Sequence, residues 1–200
     1  METRGIRRWL TRLSRRTVRR VLVTVCIAAG AAGASLFAQS SSQHDSGTYS
    51  LTGRVVRVAD GDTFTLLVNR TRERVRMASI DAPEISHGSD RPGQDHGQAA
   101  RQALAGMIAG KTLTLRCYEQ DRYGRNICDV PLPGGSTVGR ELVAGGWVWA
   151  NRQGRDKYLR DSTLPGLMAR AREQRLGLWQ RSDAVAPWVW RYDCWRQGRC

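Results

Sequence analysis

Residues 53–68 read GRVVRVADGDTFTLLV. Val55, Val56 and Val58 form a β-branched run, Asp60-Gly61 interrupts it, and Thr63–Val68 restores the same character. Branched side chains suit a pleated, half-buried surface, and an Asp-Gly pair between two such runs signals a tight hairpin. The stretch therefore predicts strands over 54–59 and 63–68 joined by a two-residue turn at Asp60-Gly61. Further along, Asn69–Glu73 is a polar turn and 74–80 a third strand. Asp81-Ala82-Pro83 ends it, because a proline disfavours helix in the residue before it. Two more strands fall at 112–118 and 126–130, around a turn at Asp121–Gly124. Apolar residues at helical spacing mark helices over Gln98–Ala109, Thr137–Ala144 and Leu164–Gln174. Ile85–Gly97 is left as a long polar loop. Five short strands with interspersed helices predict an α+β, mainly β architecture, a five-stranded OB-fold barrel with helices packed on it.

The rest of the chain divides around that domain, taken as 51–180. The 200 residues carry 32 basic and 18 acidic side chains, a net charge of +14. Residues 1–38 hold eight arginines and one acid, so half of the excess lies there. Arg-rich at first, then apolar and uncharged from Val21 to Ala38, that segment reads as an export signal or an N-terminal membrane anchor. Cys26 is a small apolar residue within it. Either outcome places the domain outside the cytoplasm, secreted or periplasmic, with the membrane touched only through the N-terminal segment. Residues 39–50 read as a polar linker, and 181–200 as a Trp- and Cys-containing extension. The modest basic excess of the domain favours a polyanionic partner.

Four cysteines remain: Cys117, Cys128, Cys194 and Cys200. In an exported chain an even count points to disulfides. Of three connectivities, 117–128 across the hairpin and 194–200 within the extension bring near neighbours together. No Cys-x-x-Cys pair or histidine has zinc-ligand spacing. His44, His87 and His96 fall in polar loop or linker segments and read as solvated.

Taken singly, Asp60-Gly61-Asp62 is a hairpin corner, Asp81-Ala82-Pro83-Glu84 an acidic turn and Arg76 a strand arginine. Together they supply what phosphate-ester hydrolysis needs. Asp62 and Asp81 offer hard oxygen ligands to a cation. Glu84 is a third acid that can deprotonate or orient water. Arg76 and Arg125 can donate forked hydrogen bonds to phosphoryl oxygens. Arg76 and Asp81 are five residues apart, on opposite faces of a continuous strand. They converge only if the strand ends first, near Ile80.

These motifs resemble the staphylococcal nuclease family. The resemblance is carried by Asp60-Gly61-Asp62-Thr63, Arg76, Asp81-Ala82-Pro83-Glu84, Gly97-Gln98-Ala99-Ala100 and Asp121–Arg125. Gly177-Leu178-Trp179 and Pro187-Trp188-Val189-Trp190-Arg191 extend it. It implies an OB-fold with three helices and a calcium-dependent endonuclease that cleaves DNA and RNA, single strands favoured, leaving 3′-phosphates. It also implies Ca²⁺ held by Asp62, Asp81 and the backbone carbonyl of Ala82, with Asp60 behind them. Glu84 would then act on water, and Arg76 and Arg125 on the phosphate. Alanine at position 82 departs from the family's threonine. The family's base-packing tyrosine pair has no clear counterpart, so Tyr123 and Trp149 are the candidate substrate contacts, and core packing is the competing role for Trp147 and Trp149. A monomer is expected. The competing reading is a non-catalytic OB-fold module that binds nucleic acid or protein.

Overall fold

The computed structural model describes residues 47–200, so the export segment and residues 39–46 of the linker lie outside the described residues. Among the described residues no helix is long and apolar enough to cross a membrane. Five strands close a barrel in the order β1-β2-β3-β6-β5. They are β1 (Tyr49–Val58), β2 (Thr63–Val68), β3 (Thr71–Met77), β5 (Thr112–Gln120) and β6 (Asn126–Asp129). All pairings are antiparallel except β3 with β6. This is the expected OB-fold.

β1 is long because it serves two partners. Tyr49–Arg54 pair with β5, and Arg54–Val58 pair with β2. The register slips between Val55 and Arg57, leaving Val56 and Arg57 both exposed. Such a bulge bends a strand and sharpens its twist, which allows closure. Tyr49 and Ser50 are therefore barrel residues rather than the end of a linker. The cross-strand pairing of Tyr49 with Cys117 is invisible in local composition.

The two-residue turn falls elsewhere than expected. Asn69 and Arg70, with φ of 48° and 70°, join β2 to β3 directly, and Val68 pairs with Thr71. β3 accordingly begins three residues early, at Thr71, and ends three early, at Met77. Asp60-Gly61 instead lies in a wider loop in which the Ala59 and Asp60 amides both donate to the Thr63 carbonyl. Gly61 is small because of its neighbours: a Cβ there would lie 2.7 Å from the Cβ atoms of both Ala82 and Ala100.

Three helices pack on the barrel. α1 (Gly97–Ile108) buries Ala100, Leu104 and Ile108 one turn apart. α2 (Val138–Ala144) starts at Thr137, whose hydroxyl accepts the Arg140 amide. α3 (Leu164–Glu173) follows. Phe64, Leu66, Val75, Leu115, Leu104 and Leu142 belong to one buried core. Cys117 and Cys128 are cross-strand neighbours in that core and form a disulfide. A short strand β4 (Ile80–Asp81) pairs with β7 (Trp149–Ala150) in a separate two-stranded sheet. The C-terminal extension is helical: α4 (Pro187–Trp190) runs into a wider π-helical turn over Arg191–Arg196, closed by the Cys194–Cys200 disulfide.

Candidate active site

Side-chain alternation aims Val75 and Met77 into the barrel and Arg76 outward. There it meets Asp62, from the β1–β2 loop, at 2.7 Å through Nη1, and Asp81 at 2.9 Å through Nη2. Asp81 reaches Arg76 because β3 stops at Met77. Ser79 then takes a left-handed conformation, φ 64°, and β4 sets off in a new direction. The break comes three residues before the expected one at Ile80, and tertiary contacts hold it. The Ser79 hydroxyl oxygen accepts the amides of Arg160 (2.8 Å) and Asp161 (3.2 Å), and its carbonyl accepts that of Asn151.

Asp62 is fixed on every side. Its Oδ1 accepts the Thr63 hydroxyl (2.9 Å), its Oδ2 accepts the Ala82 amide (2.7 Å), and its own amide donates to Asp60 (2.9 Å). Asp60 thus stands behind Asp62, and Ala82, expected to offer its carbonyl to a cation, meets the Asp62 carboxyl through its amide. Burial pushes the Asp62 carboxyl well above the usual range, outweighing Arg76, and the charges of Asp60 and Asp81 add to the rise. Burial works against the charge on Arg76, but Asp62 and Asp81 more than offset it.

Glu84 is held by its backbone. Its amide donates to the Gln94 side chain (3.1 Å), and its carbonyl accepts the Gln94 amide (2.8 Å). The long polar loop thereby closes on itself at its two ends. Burial raises the Glu84 carboxyl, although Arg191 opposes the shift.

Arg191 is the residue that sequence reasoning passed over. Its guanidinium meets Asp81 at 3.2 Å (Oδ1) and 2.8 Å (Oδ2), and Glu84 at 2.5 Å. The only signal was its place at the end of the Trp-rich Pro187–Arg191 run, 107 residues beyond Glu84. Four carboxylates, Asp60, Asp62, Asp81 and Glu84, therefore face two guanidiniums. Among the described residues no three His, Cys, Asp or Glu side chains gather closely enough to hold a metal between them.

The other candidates stand apart. Arg125 is fixed at the β5–β6 turn by Asp121, at 2.8 Å from Nε and 2.7 Å from Nη2, and its hydrogen bonds do not reach the acids. Tyr123 is exposed beside it, with the Arg122 and Arg125 guanidiniums 4.8 and 5.5 Å from its ring centre. Trp147 packs on the barrel core. Trp149 is half-buried and meets Trp179 and Trp188 edge-on, at 4.4 and 5.9 Å between ring centres. It also lines a cavity of about 210 Å³ with Pro83, His96, Leu178, Val185 and Trp190. His87 is exposed and His96 half-buried, in the loop.

A half-buried arginine bridging two buried aspartates on the outer wall of a five-stranded barrel, with a glutamate three residues on, is built to handle a phosphate ester. Residues 74–181 match the family described as "Staphylococcal nuclease homologue". An "Uncharacterized endonuclease" of Escherichia coli O157:H7 is 40% identical over 140 residues, 70% of this chain and 84% of its own length. A "Micrococcal nuclease" of Shigella flexneri is 42% identical over 148 residues, 70% of this chain and 79% of its own. An "Uncharacterized endonuclease" of Haemophilus influenzae is 32% identical over 141 residues, 70% and 72% respectively. The chain belongs to the staphylococcal nuclease family and is a nuclease, a hydrolase of ester bonds.

Proposed function

We propose that the chain is a calcium-dependent endonuclease that cuts DNA and RNA, favours single strands and leaves 3′-phosphate ends. The observation that carries this reading is the Arg76 bridge between Asp62 and Asp81, with Glu84 on the same wall. The donor set fits a hard cation: every charged ligand candidate is a carboxylate oxygen, and acids outnumber guanidiniums two to one. Asp62, Asp81 and the Ala82 carbonyl would hold it, with water completing the shell. When bound, Ca²⁺ polarises the phosphoryl oxygen and lowers the negative charge of the site.

The chain's own groups do the rest. Asp62 and Asp81 fix the Arg76 guanidinium through its two Nη atoms, and no residue among those described is bonded to its Nε. That edge is free to donate to a phosphoryl oxygen as charge builds there. Asp121 fixes Arg125 similarly for a second contact. Glu84 accepts the proton of the attacking water, and its burial-raised pKa brings it nearer the working range of a base. The water oxygen bonds to phosphorus as the P–O5′ bond breaks; the 5′-oxygen takes up a proton from solvent and leaves as a hydroxyl, and the 3′-phosphate remains. The two disulfides favour an oxidising location, in keeping with export of a monomeric domain.

The test is single-stranded DNA and RNA cleavage with calcium, with chelator, and by Glu84→Gln. Cleavage should stop in chelator. The variant should lose roughly 10²–10⁴-fold in rate while still binding substrate. Full activity in chelator would remove calcium from the mechanism, and binding without cleavage by the wild type would favour a non-catalytic module.

A further inference from the structure

Arg191 covers both oxygens of Asp81, the same atoms that a cation would need. Arg76 already holds Asp81 Oδ1, so Arg191 is a second guanidinium on the same carboxylate, and it competes with a divalent ion for the oxygens because their like charges repel. Arg76 is built in: its side chain is 14% exposed, and it donates to the Met77 and Ile80 carbonyls as well as to the aspartates. Arg191 is 31% exposed, and among the described residues its guanidinium hydrogen-bonds only to Asp81 and Glu84. Of the two, it is the one able to swing toward solvent.

The segment that carries Arg191 is fastened independently of its side chain. The indole N–H groups of Trp190 and Trp195 both donate to the Pro92 carbonyl, at 3.0 and 2.9 Å, and Gln94 donates to the Val185 carbonyl at 2.8 Å. The Cys194–Cys200 disulfide closes the end. The extension thus stays docked on the polar loop whichever way Arg191 points.

We propose that Arg191 is an internal counter-cation which calcium must displace from Asp81 before the site is loaded. The proposal rests on the calcium reading above. It makes the C-terminal extension a device that weakens apparent cation affinity, since the binding-competent arrangement is only a fraction of the metal-free population. It also neutralises Asp81 and Glu84 while the cation is absent.

Calorimetric titration of the oxidised full-length chain with calcium chloride tests it. Arg191→Gln keeps a polar, hydrogen-bonding side chain, shorter than arginine and without its charge. It should bind calcium about tenfold tighter than the wild type, whereas loss of a merely structural arginine would leave affinity unchanged or lower it. A second measurement needs no variant. In the metal-free wild type the clamped Arg191 Nη groups should give separate NMR signals, which merge as calcium frees rotation about Nε–Cζ. Equal or weaker binding by Arg191→Gln, or clamped Arg191 signals at calcium saturation, overturns the proposal while the calcium reading stands. If neither protein takes up calcium, the calcium reading fails first and the proposal with it.

Discussion

Gly97 lies so close to the Glu84 carbonyl that a Cβ at position 97 would sit 2.3 Å from that oxygen. The first residue of α1 therefore sets the distance between the helix and the proposed water-handling acid. Gly97→Ala must push the two apart. The strain should cost roughly 1–3 kcal/mol, read by chemical denaturation. Because a shift of about 1 Å near a reacting centre can cost about 10²-fold, kcat should fall by more than the stability loss explains.

Ser79 offers a pair of opposing substitutions. Ser79→Ala keeps the left-handed strain and removes the acceptor for the Arg160 and Asp161 amides, for an expected loss of about 1–3 kcal/mol. Ser79→Gly removes the same acceptor but relieves the backbone, so it should be milder by about 1 kcal/mol. Denaturant midpoints would rank them, and the opposite order would show that the left-handed backbone at position 79 carries no strain.

The acid cluster predicts an unusual pH dependence in chelator. Burial raises both Asp62 and Glu84, so the folded chain binds their protons more readily than the unfolded chain does. Their contribution is fully present below their ordinary values, 3.8 and 4.5, and is lost as pH rises through the raised folded values. Metal-free protein should therefore gain thermal stability on going from neutral to mildly acidic pH. Asp62→Asn should flatten the trend. Asp121 and Asp161 act oppositely and lower down: hydrogen bonds outweigh burial and depress both, so their contribution is lost as pH falls below 3.8.

Asp121 also tests the role of Arg125. Asp121→Asn preserves an oxygen for the Tyr123 and Arg125 amides but removes the charge that fixes the guanidinium. If Arg125 serves the transition state, kcat should fall about tenfold, in line with partial loss of one charge-assisted contact. The melting temperature should barely change.

Removing the Cys117–Cys128 bond should lower stability by about 2–3 kcal/mol, because it closes a short loop of the unfolded chain. The double alanine variant, unfolded beside the wild type in denaturant, would measure it. The second bond, Cys194–Cys200, lies outside the barrel and should matter far less to the main transition.

What the sequence made legible was local chemistry. The two β-branched runs before and after Asp60-Gly61, the apolar stripe of α1 and both disulfide pairs could be read from neighbours along the chain. So could Asp60, Asp62, Arg76, Asp81 and Glu84, because the resemblance rests on short motifs, and the structure brings these five together. What could not be read depends on distant partners. The start of β1 is set by Cys117, the early end of β3 by residues 151–161, and the role of Gly61 by α1. Arg191 was missed for the same reason, since nothing near it in the chain is acidic except Asp193, while its partners lie over a hundred residues away.

The double pairing of β1 bears on how the molecule comes apart. A strand hydrogen-bonded to β5 along one half and to β2 along the other cannot be released without opening both seams of the barrel. Partial openings that spare one side are thereby suppressed. The amides of β1 that face its partners should be among the last to exchange with deuterated water, reporting global rather than local unfolding. Forming that strand's pairing with β5 also joins segments more than sixty residues apart, such as Thr52 with Thr114, so barrel closure should set the folding rate.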